Sequence, residues 1–256
     1  MALTDDQLER YARHIILREV GGAGQARLLA SKVLLIGAGG LGSPLLLYLA
    51  AAGVGTIGVV DDDVVSLSNL QRQIIHETAD IGRLKTESAL ETSQAINPDI
   101  KFIPHTTRLT AENATDILSG YDVVADGSDN FETRFLVADT CHTHQIPLVS
   151  AAIGQFEGQL STWKPFVQGP TGEPYPCFRC LFPSPPPPES VQNCAEAGVL
   201  GVIAGVMGSL QGVEVLKELL DLPETMAGRL LLYDALETSF REIKITQNPK
   251  CPSCRS

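Results

Sequence analysis

The segment Gly37-Ala38-Gly39-Gly40-Leu41-Gly42 constrains this chain more than any other. It follows a short apolar run, Lys32 to Ile36, and opens into an apolar stretch that ends near Gly53. The first run has the length and composition of a strand buried on both faces; the second is long enough for a helix. Glycines at this spacing let the backbone approach a phosphate, and a helix start offers free N–H groups and a positive dipole end. A second apolar run, Thr56 to Val60, ends in Asp61-Asp62-Asp63. Asp61 lies 24 residues beyond Gly37, where a carboxylate can accept from ribose hydroxyls. This strand–turn–helix–strand unit predicts a nucleotide site built on Gly37, Gly39, Gly40, Gly42 and Asp61. NAD, FAD and ATP all fit it, and a tight turn that needs small residues is the plain structural alternative.

The flanking sequence sets the fold class. Thr4 and Gln7 form a capping-box pattern, so a helix is expected from about 5 to 20, stopping at Gly21-Gly22, within an N-terminal segment 1–22. Helical patterning returns over 82–96 and stops at Asn97-Pro98. Strands are expected near 100–104, 122–126 and 147–151, with a helix beginning near Asn130 between the last two. Such alternation predicts an α/β protein with a doubly wound, mostly parallel, Rossmann-like sheet, its nucleotide-binding core spanning 30–155. Beyond it, 156–256 reads as a crossover loop, antiparallel strands and a metal-binding tail. The antiparallel strands are Gln159 to Trp163, Arg229 to Asp234 and Ser239 to Thr246. Between them lies a proline-rich crossover, 165–198, containing Pro185 to Pro188, which cannot join a sheet ladder. Val199 to Leu220 is apolar, but its uncharged part, Val199 to Leu210, is only 12 residues, against the roughly 20 a membrane span needs. It is expected to be a buried helix.

At 256 residues the chain is one large domain that needs no disulfide framework. A net charge of −11 makes it a poor non-specific partner for nucleic acid or an anionic membrane, so any phosphate ligand requires a local cluster of cations. The acidic start, Met1 to Asp6, has no apolar run, and a cytoplasmic protein with reduced cysteines is expected.

Such cations stand in Ser68-Asn69-Leu70-Gln71-Arg72-Gln73 and at Lys85. A dinucleotide enzyme has no general need of them, whereas an enzyme handling a triphosphate must stabilise gathering negative charge. Taken singly, Arg72 and Lys85 would be surface residues and Asn69 a turn residue. Asp126-Gly127-Ser128-Asp129-Asn130 closes a strand at the end where doubly wound sheets bind ligands. Asp129 has two readings that compete for the same oxygens: a Mg²⁺ ligand, or a helix N-cap supported by Glu132. Cys177-Phe178-Arg179-Cys180 and Cys251-Pro252-Ser253-Cys254 are two C-x-x-C pairs. Four thiolates so arranged make a closed, structural zinc site, provided the fold brings the tail back to the middle of the chain. Cys141 reads as a small core residue. Cys194 lies before the long apolar helix, where a thiol can be a nucleophile or merely buried. The five histidines show no ligand spacing and are taken as ordinary.

The ensemble resembles the molybdopterin-synthase and thiamine-biosynthesis adenylyltransferase family (MoeB/ThiF type), relatives of ubiquitin-activating enzymes. The resemblance spans essentially the whole chain. It is carried by Arg10 to Leu17, the Gly37–Gly42 turn, Ser66 to Gln73, Ser128-Asp129-Asn130, both cysteine pairs and Cys194 to Gly198. It implies that Gly39 and Gly40 line ATP, that Asp61 holds its ribose, and that Asn69, Arg72 and Lys85 contact its phosphates. Asp129 would position Mg²⁺, Arg13 would reach the ATP of the other subunit of a homodimer, and Cys177, Cys180, Cys251 and Cys254 would bind Zn²⁺. Cys194 matches the position of a conjugating or sulfur-handling cysteine. The implied reaction is ATP-dependent adenylation of the C-terminal Gly-Gly of a ubiquitin-like sulfur-carrier protein, with a separate sulfur donor because no rhodanese segment follows Cys254. Two rival readings are an NAD-dependent oxidoreductase on the same glycine turn and a non-catalytic dimeric carrier-binding module.

Overall fold

A computed structural model describes residues 3–187 and 198–254. Eight strands form one sheet in the order β3-β2-β1-β4-β5-β6-β7-β8. The strands are β1 (Lys32–Ile36), β2 (Thr56–Val60), β3 (Lys101–His105), β4 (Val123–Asp126), β5 (Leu148–Ile153), β6 (Glu157–Trp163), β7 (Arg229–Asp234) and β8 (Ser239–Lys244). The first five pair in parallel and the last three run antiparallel, as the change of character beyond residue 155 predicts.

β1 shows why the parallel half reads as unbroken hydrophobic runs. Side chains alternate across a strand, so Val33 and Leu35 enter one core while Leu34 and Ile36 enter the other. The first core lies under α3 (Gly21–Ala30), α4 (Gly42–Ala52), α5 (Lys85–Ile96) and α9 (Gly201–Leu219), with Leu45, Leu49, Ile203 and Met207 fully buried. The second lies under α6 (Ala114–Leu118) and α7 (Phe131–Thr143). With both faces covered, no position of β1 beyond Lys32 can be polar without a buried partner.

Gly53 ends α4 in the left-handed region at φ 79°, as a glycine after the last apolar turn should. The long apolar segment is a helix packed on α4 and on the sheet, and among the described residues no helix is long and apolar enough to cross a membrane.

The N-terminal segment differs from expectation. The capping box at Thr4 and Gln7 forms, but the helix stops at Arg10, resumes as α2 (Ala12–Ile15), and α3 begins at Gly21. Tyr11 causes the first break, because its ring is buried and its hydroxyl accepts from Asn97 Nδ2 at 2.8 Å. Gly21 and Gly22 open a helix here instead of closing one. A glycine marks a helix boundary without saying which side is helical, and close packing decides it: a Cβ at Gly24 would lie 3.0 Å from Leu220 Cδ2. In the crossover, 165–187 contains α8 (Phe178–Leu181) and an isolated bridge but no strand, while the remaining residues up to 197 lie outside those described.

Candidate nucleotide site and four-cysteine centre

Strand order reverses between β1 and β4, and a cavity of about 470 Å³ opens beyond their carboxyl ends. The Gly37 turn forms one wall. Gly37 takes φ +97°, which side chains rarely adopt, and a Cβ at Gly42 would lie 2.1 Å from the Gly37 carbonyl oxygen. Gly42 therefore closes the turn on itself and does not line the cavity; Gly37, Gly39 and Gly40 do. The amides of Gly39 and Gly40 donate to nothing among the described residues.

Asp61, at the end of β2, braces the turn. Its Oδ2 accepts the Ala38 amide at 2.8 Å and its Oδ1 accepts the Asp63 amide at 2.9 Å. Burial raises its carboxyl above the ordinary range, against the pull of Lys85 and these two amides. Lys85 is the first residue of α5, where a cation opposes the helix dipole, yet it is 5 % exposed and lines the cavity. Arg72 packs against the turn, its Cγ 3.5 Å from where a Cβ at Gly40 would lie, and its Nη1 donates to the Ser68 carbonyl at 3.0 Å. Both cations thus stand in the cavity wall instead of on open surface.

Asn130, not Asp129, caps α7: Asn130 Oδ1 accepts the Thr133 amide at 2.9 Å. That leaves Asp129 exposed on the cavity wall, with no hydrogen bond or ion pair among the described residues. Asn69 is placed differently. Its Oδ1 accepts the Ser66 amide at 3.3 Å inside a single 3-10 turn, Leu67–Asn69, and it does not line the cavity. Arg13 is exposed on α2 and lines no part of the cavity within its own chain. Cys194 lies outside the described residues, and Cys141 is buried in the core, where burial pushes its thiol up.

Four cavity residues had no role of their own legible in the sequence. Arg134 donates to the Ser128 carbonyl and lies 3.9 Å from Asp126 Oδ2, holding the Asp129 loop. A cation in the first turns of α7 is unfavourable to the helix, and that was its signal. Among the described residues, buried Gln73 has no partner for its Oε1 and the buried Ser128 hydroxyl has none either. Gln159 connects this cavity to a second groove of about 650 Å³ along β6, β7 and the turn after β7. Two orphaned polar groups, free amides and four cations, Arg72, Lys85, Arg108 and Arg134, suit an anionic, hydrogen-bonding ligand with phosphates.

The cysteines converge as required. All four sulfurs lie within 4.8 Å of one another, with Sγ separations of 3.8 Å for Cys177–Cys180, 3.5 Å for Cys177–Cys251 and 3.7 Å for Cys180–Cys254. Sulfurs at about 2.3 Å from a tetrahedral zinc stand about 3.8 Å apart, so the donor set fits that ion. Burial pushes the Cys177 thiol up and carries Cys254 to about 11. Burial works against ionising Cys251 as well, but the amides of Cys254 and Ser253 aimed at its sulfur bring it down to about 7. Binding a divalent cation would make thiolates of all four. Arg179 holds α8 in place through two bonds to Asp139 on α7, at 2.7 and 2.6 Å. His142, also on α7, meets Ser253 Oγ at 2.9 Å.

The ThiF family profile matches residues 11–253. This chain belongs to the ThiF family. It is 51 % identical over 255 residues to a sulfur carrier protein adenylyltransferase of Thermus thermophilus, covering 99 % of this chain and 93 % of that one. It is 49 % identical to a SAMP-activating enzyme E1 of Haloferax volcanii, covering 99 % and 91 %. The adenylyltransferase and sulfurtransferase MOCS3 of Sus scrofa is 47 % identical over 99 % of this chain and 54 % of its own length. Among solved structures, E. coli MccB with ATP superposes with a TM-score of 0.82 at 20 % identity, covering 96 % of this ThiF-family chain and 75 % of MccB, a likeness of fold.

Proposed function

We propose that this ThiF-family protein uses ATP to adenylate the C-terminal Gly-Gly carboxylate of a ubiquitin-like sulfur-carrier protein. The observation that carries the reading is the convergence of free turn amides, Lys85 and Arg72 on one cavity that opens into a second groove. A carboxylate is a poor electrophile at neutral pH. Its oxygen attacks the α-phosphorus, the bond to the bridging oxygen breaks, and pyrophosphate leaves with the electron pair. The product is a mixed anhydride, open to a sulfur nucleophile.

Alignment and charge stabilisation are the work of the protein. Gly39 and Gly40 amides, Arg72 and Lys85 meet the phosphates, and Asp61 offers its remaining lone pairs to the ribose. Fixed donors in a dry cavity are each worth about 10² in rate, and alignment alone can supply effective molarities of about 10⁵ M or more. Asp129, a free carboxylate of the cavity wall, would hold Mg²⁺, which when bound would neutralise phosphate charge. The extended carrier tail would lie in the groove between β6 and the turn after β7, reaching the cavity past Gln159. Zn²⁺ would pin the tail of the chain to α8.

Arg13 is assigned to the partner subunit's site in a homodimer. Its exposure, and that of Ile16 (72 %) and Leu17 (50 %) on the same segment, support a covered surface there. The sulfur donor is proposed to be a separate protein, and a sulfur-handling role for Cys194 stays part of this proposal. An oxidoreductase would leave Arg72, Lys85 and Asp129 unused.

Incubation with ATP, Mg²⁺ and labelled pyrophosphate tests the reading. Label should enter ATP only when a carrier ending in Gly-Gly is present. Carrier binding without exchange would reject catalysis, and hydride transfer to NAD without exchange would reject adenylation.

A further inference from the structure

Ala38, inside the glycine turn, has both of its polar groups tied. Its N–H donates to Asp61 and its carbonyl oxygen lies 3.0 Å from His76 Nε2. A carbonyl only accepts, so Nε2 carries the proton. On the other side of the ring, Nδ1 is 2.8 Å from Ser88 Oγ, which in turn is 2.7 Å from Asp80 Oδ2. Asp80 also accepts the Glu77 amide at 2.9 Å and the Arg83 guanidinium at 2.8 Å. His76, Ser88 and Asp80 are all buried. The Ser88 hydroxyl donates to the Asp80 carboxylate, so Asp80 orients Ser88 and Ser88 Oγ flanks the ring at Nδ1 while Nε2 faces Ala38.

The Ala38 carbonyl and the Gly39 N–H belong to one planar trans peptide unit and point in opposite directions. Turning the carbonyl toward His76 turns the Gly39 N–H the other way. Gly39 lines the cavity and its amide is free. A glycine after Ala38 lets this peptide flip at little steric cost, and a flipped unit would offer an oxygen to a phosphate.

We infer that His76 is a positioning residue that clamps the Ala38–Gly39 peptide so that the Gly39 amide meets a phosphate oxygen of the bound nucleotide. The inference rests on the triphosphate reading of the cavity. His76 touches no substrate; it acts through the turn, and Ser88 and Asp80 hold its ring.

The test is calorimetric titration of ATP and of adenosine, with Mg²⁺, into the native protein and the variants His76→Asn, His76→Gln and Ser88→Ala, each with a melting curve. Asparagine is too short to reach Ala38, whereas glutamine can place an amide N–H near the Nε2 position. His76→Asn should bind ATP about tenfold to a hundredfold more weakly, the range for a lost bond to a charged group, with adenosine affinity within about twofold of native. His76→Gln should recover ATP affinity to within about threefold, and Ser88→Ala should show a milder loss for ATP alone. A merely structural role would weaken ATP and adenosine together. That result, native ATP affinity in a folded His76→Asn protein, or failure of glutamine to rescue would overturn the inference. Failure of the native protein itself to bind ATP would overturn the triphosphate reading first, and this inference with it.

Discussion

Lys85 Nζ lies 2.8 Å from Asp63 Oδ2 and 4.0 Å from Asp61 Oδ1, so this cavity cation is already paired within the chain. The Asp63 side chain is 71 % exposed and can swing into solvent, whereas that of Asp61 is 10 % exposed and tied to two amides. In the proposed reading an incoming phosphate would replace Asp63, and Asp61 would keep the lysine aimed. Lys85→Ala should lower the adenylation rate by at least about 10²-fold. Exchange assays at saturating ATP check this, and near-native rates would remove Lys85 from the site.

The division of labour between Asn130 and Asp129 separates stability from activity. Asn130→Ala removes a helix cap and should cost about 1 kcal/mol of stability, measured by urea unfolding. Asp129→Asn should leave stability within about 0.5 kcal/mol, as an exposed residue without a partner does. It should nevertheless reduce Mg²⁺-dependent adenylation. The reverse pattern would return the cap to Asp129.

Metal content offers a direct check on the cysteines. Native mass spectrometry should find one zinc per chain, and a chelator should lower the melting temperature, since binding free energy of a closed site is folding free energy. Cys254→Ala should lower it too. A metal-free protein with an unchanged melting curve would contradict a structural ion.

Burial of Asp61 has a pH consequence. Its folded-state carboxyl titrates above its ordinary value of 3.8. The unfolded chain therefore gives up this proton at lower pH than the folded one. Relative to Asp61→Asn, the native protein should be at its best below the unfolded value and should lose stability as pH rises through the raised one. Urea midpoints of both proteins between about pH 3 and 7 give the difference curve. A difference that grows in favour of the native protein as pH rises would reverse the sign.

The parallel half was readable because its signals are local. Lys32–Ile36 and Thr56–Val60 are apolar runs bounded by glycine or acid, and a strand covered on both faces leaves no other composition open to it. Gly21-Gly22 misled because the same residues suit either side of a helix boundary, and only the approach of Leu220 to Gly24 decides the side. His76 carried no sign at all. Its partners, Ala38 and Ser88, are distant in sequence, and nothing in a histidine's neighbours tells a buried strut from a solvated ring.

From its sequence alone the chain determined its α/β class, the glycine turn with an acid beyond the next strand, and the two cysteine pairs, because each is a pattern of composition over a few residues. The tertiary structure decided which groups face the cavity: it assigned the α7 cap to Asn130, released Asp129, kept Asn69 within its own turn and folded Cys251 onto Cys177. Hydrogen-bond acceptance and sulfur–sulfur approach depend on separations of a few ångströms between residues far apart in the chain, and such separations exist only once the sheet has ordered its strands.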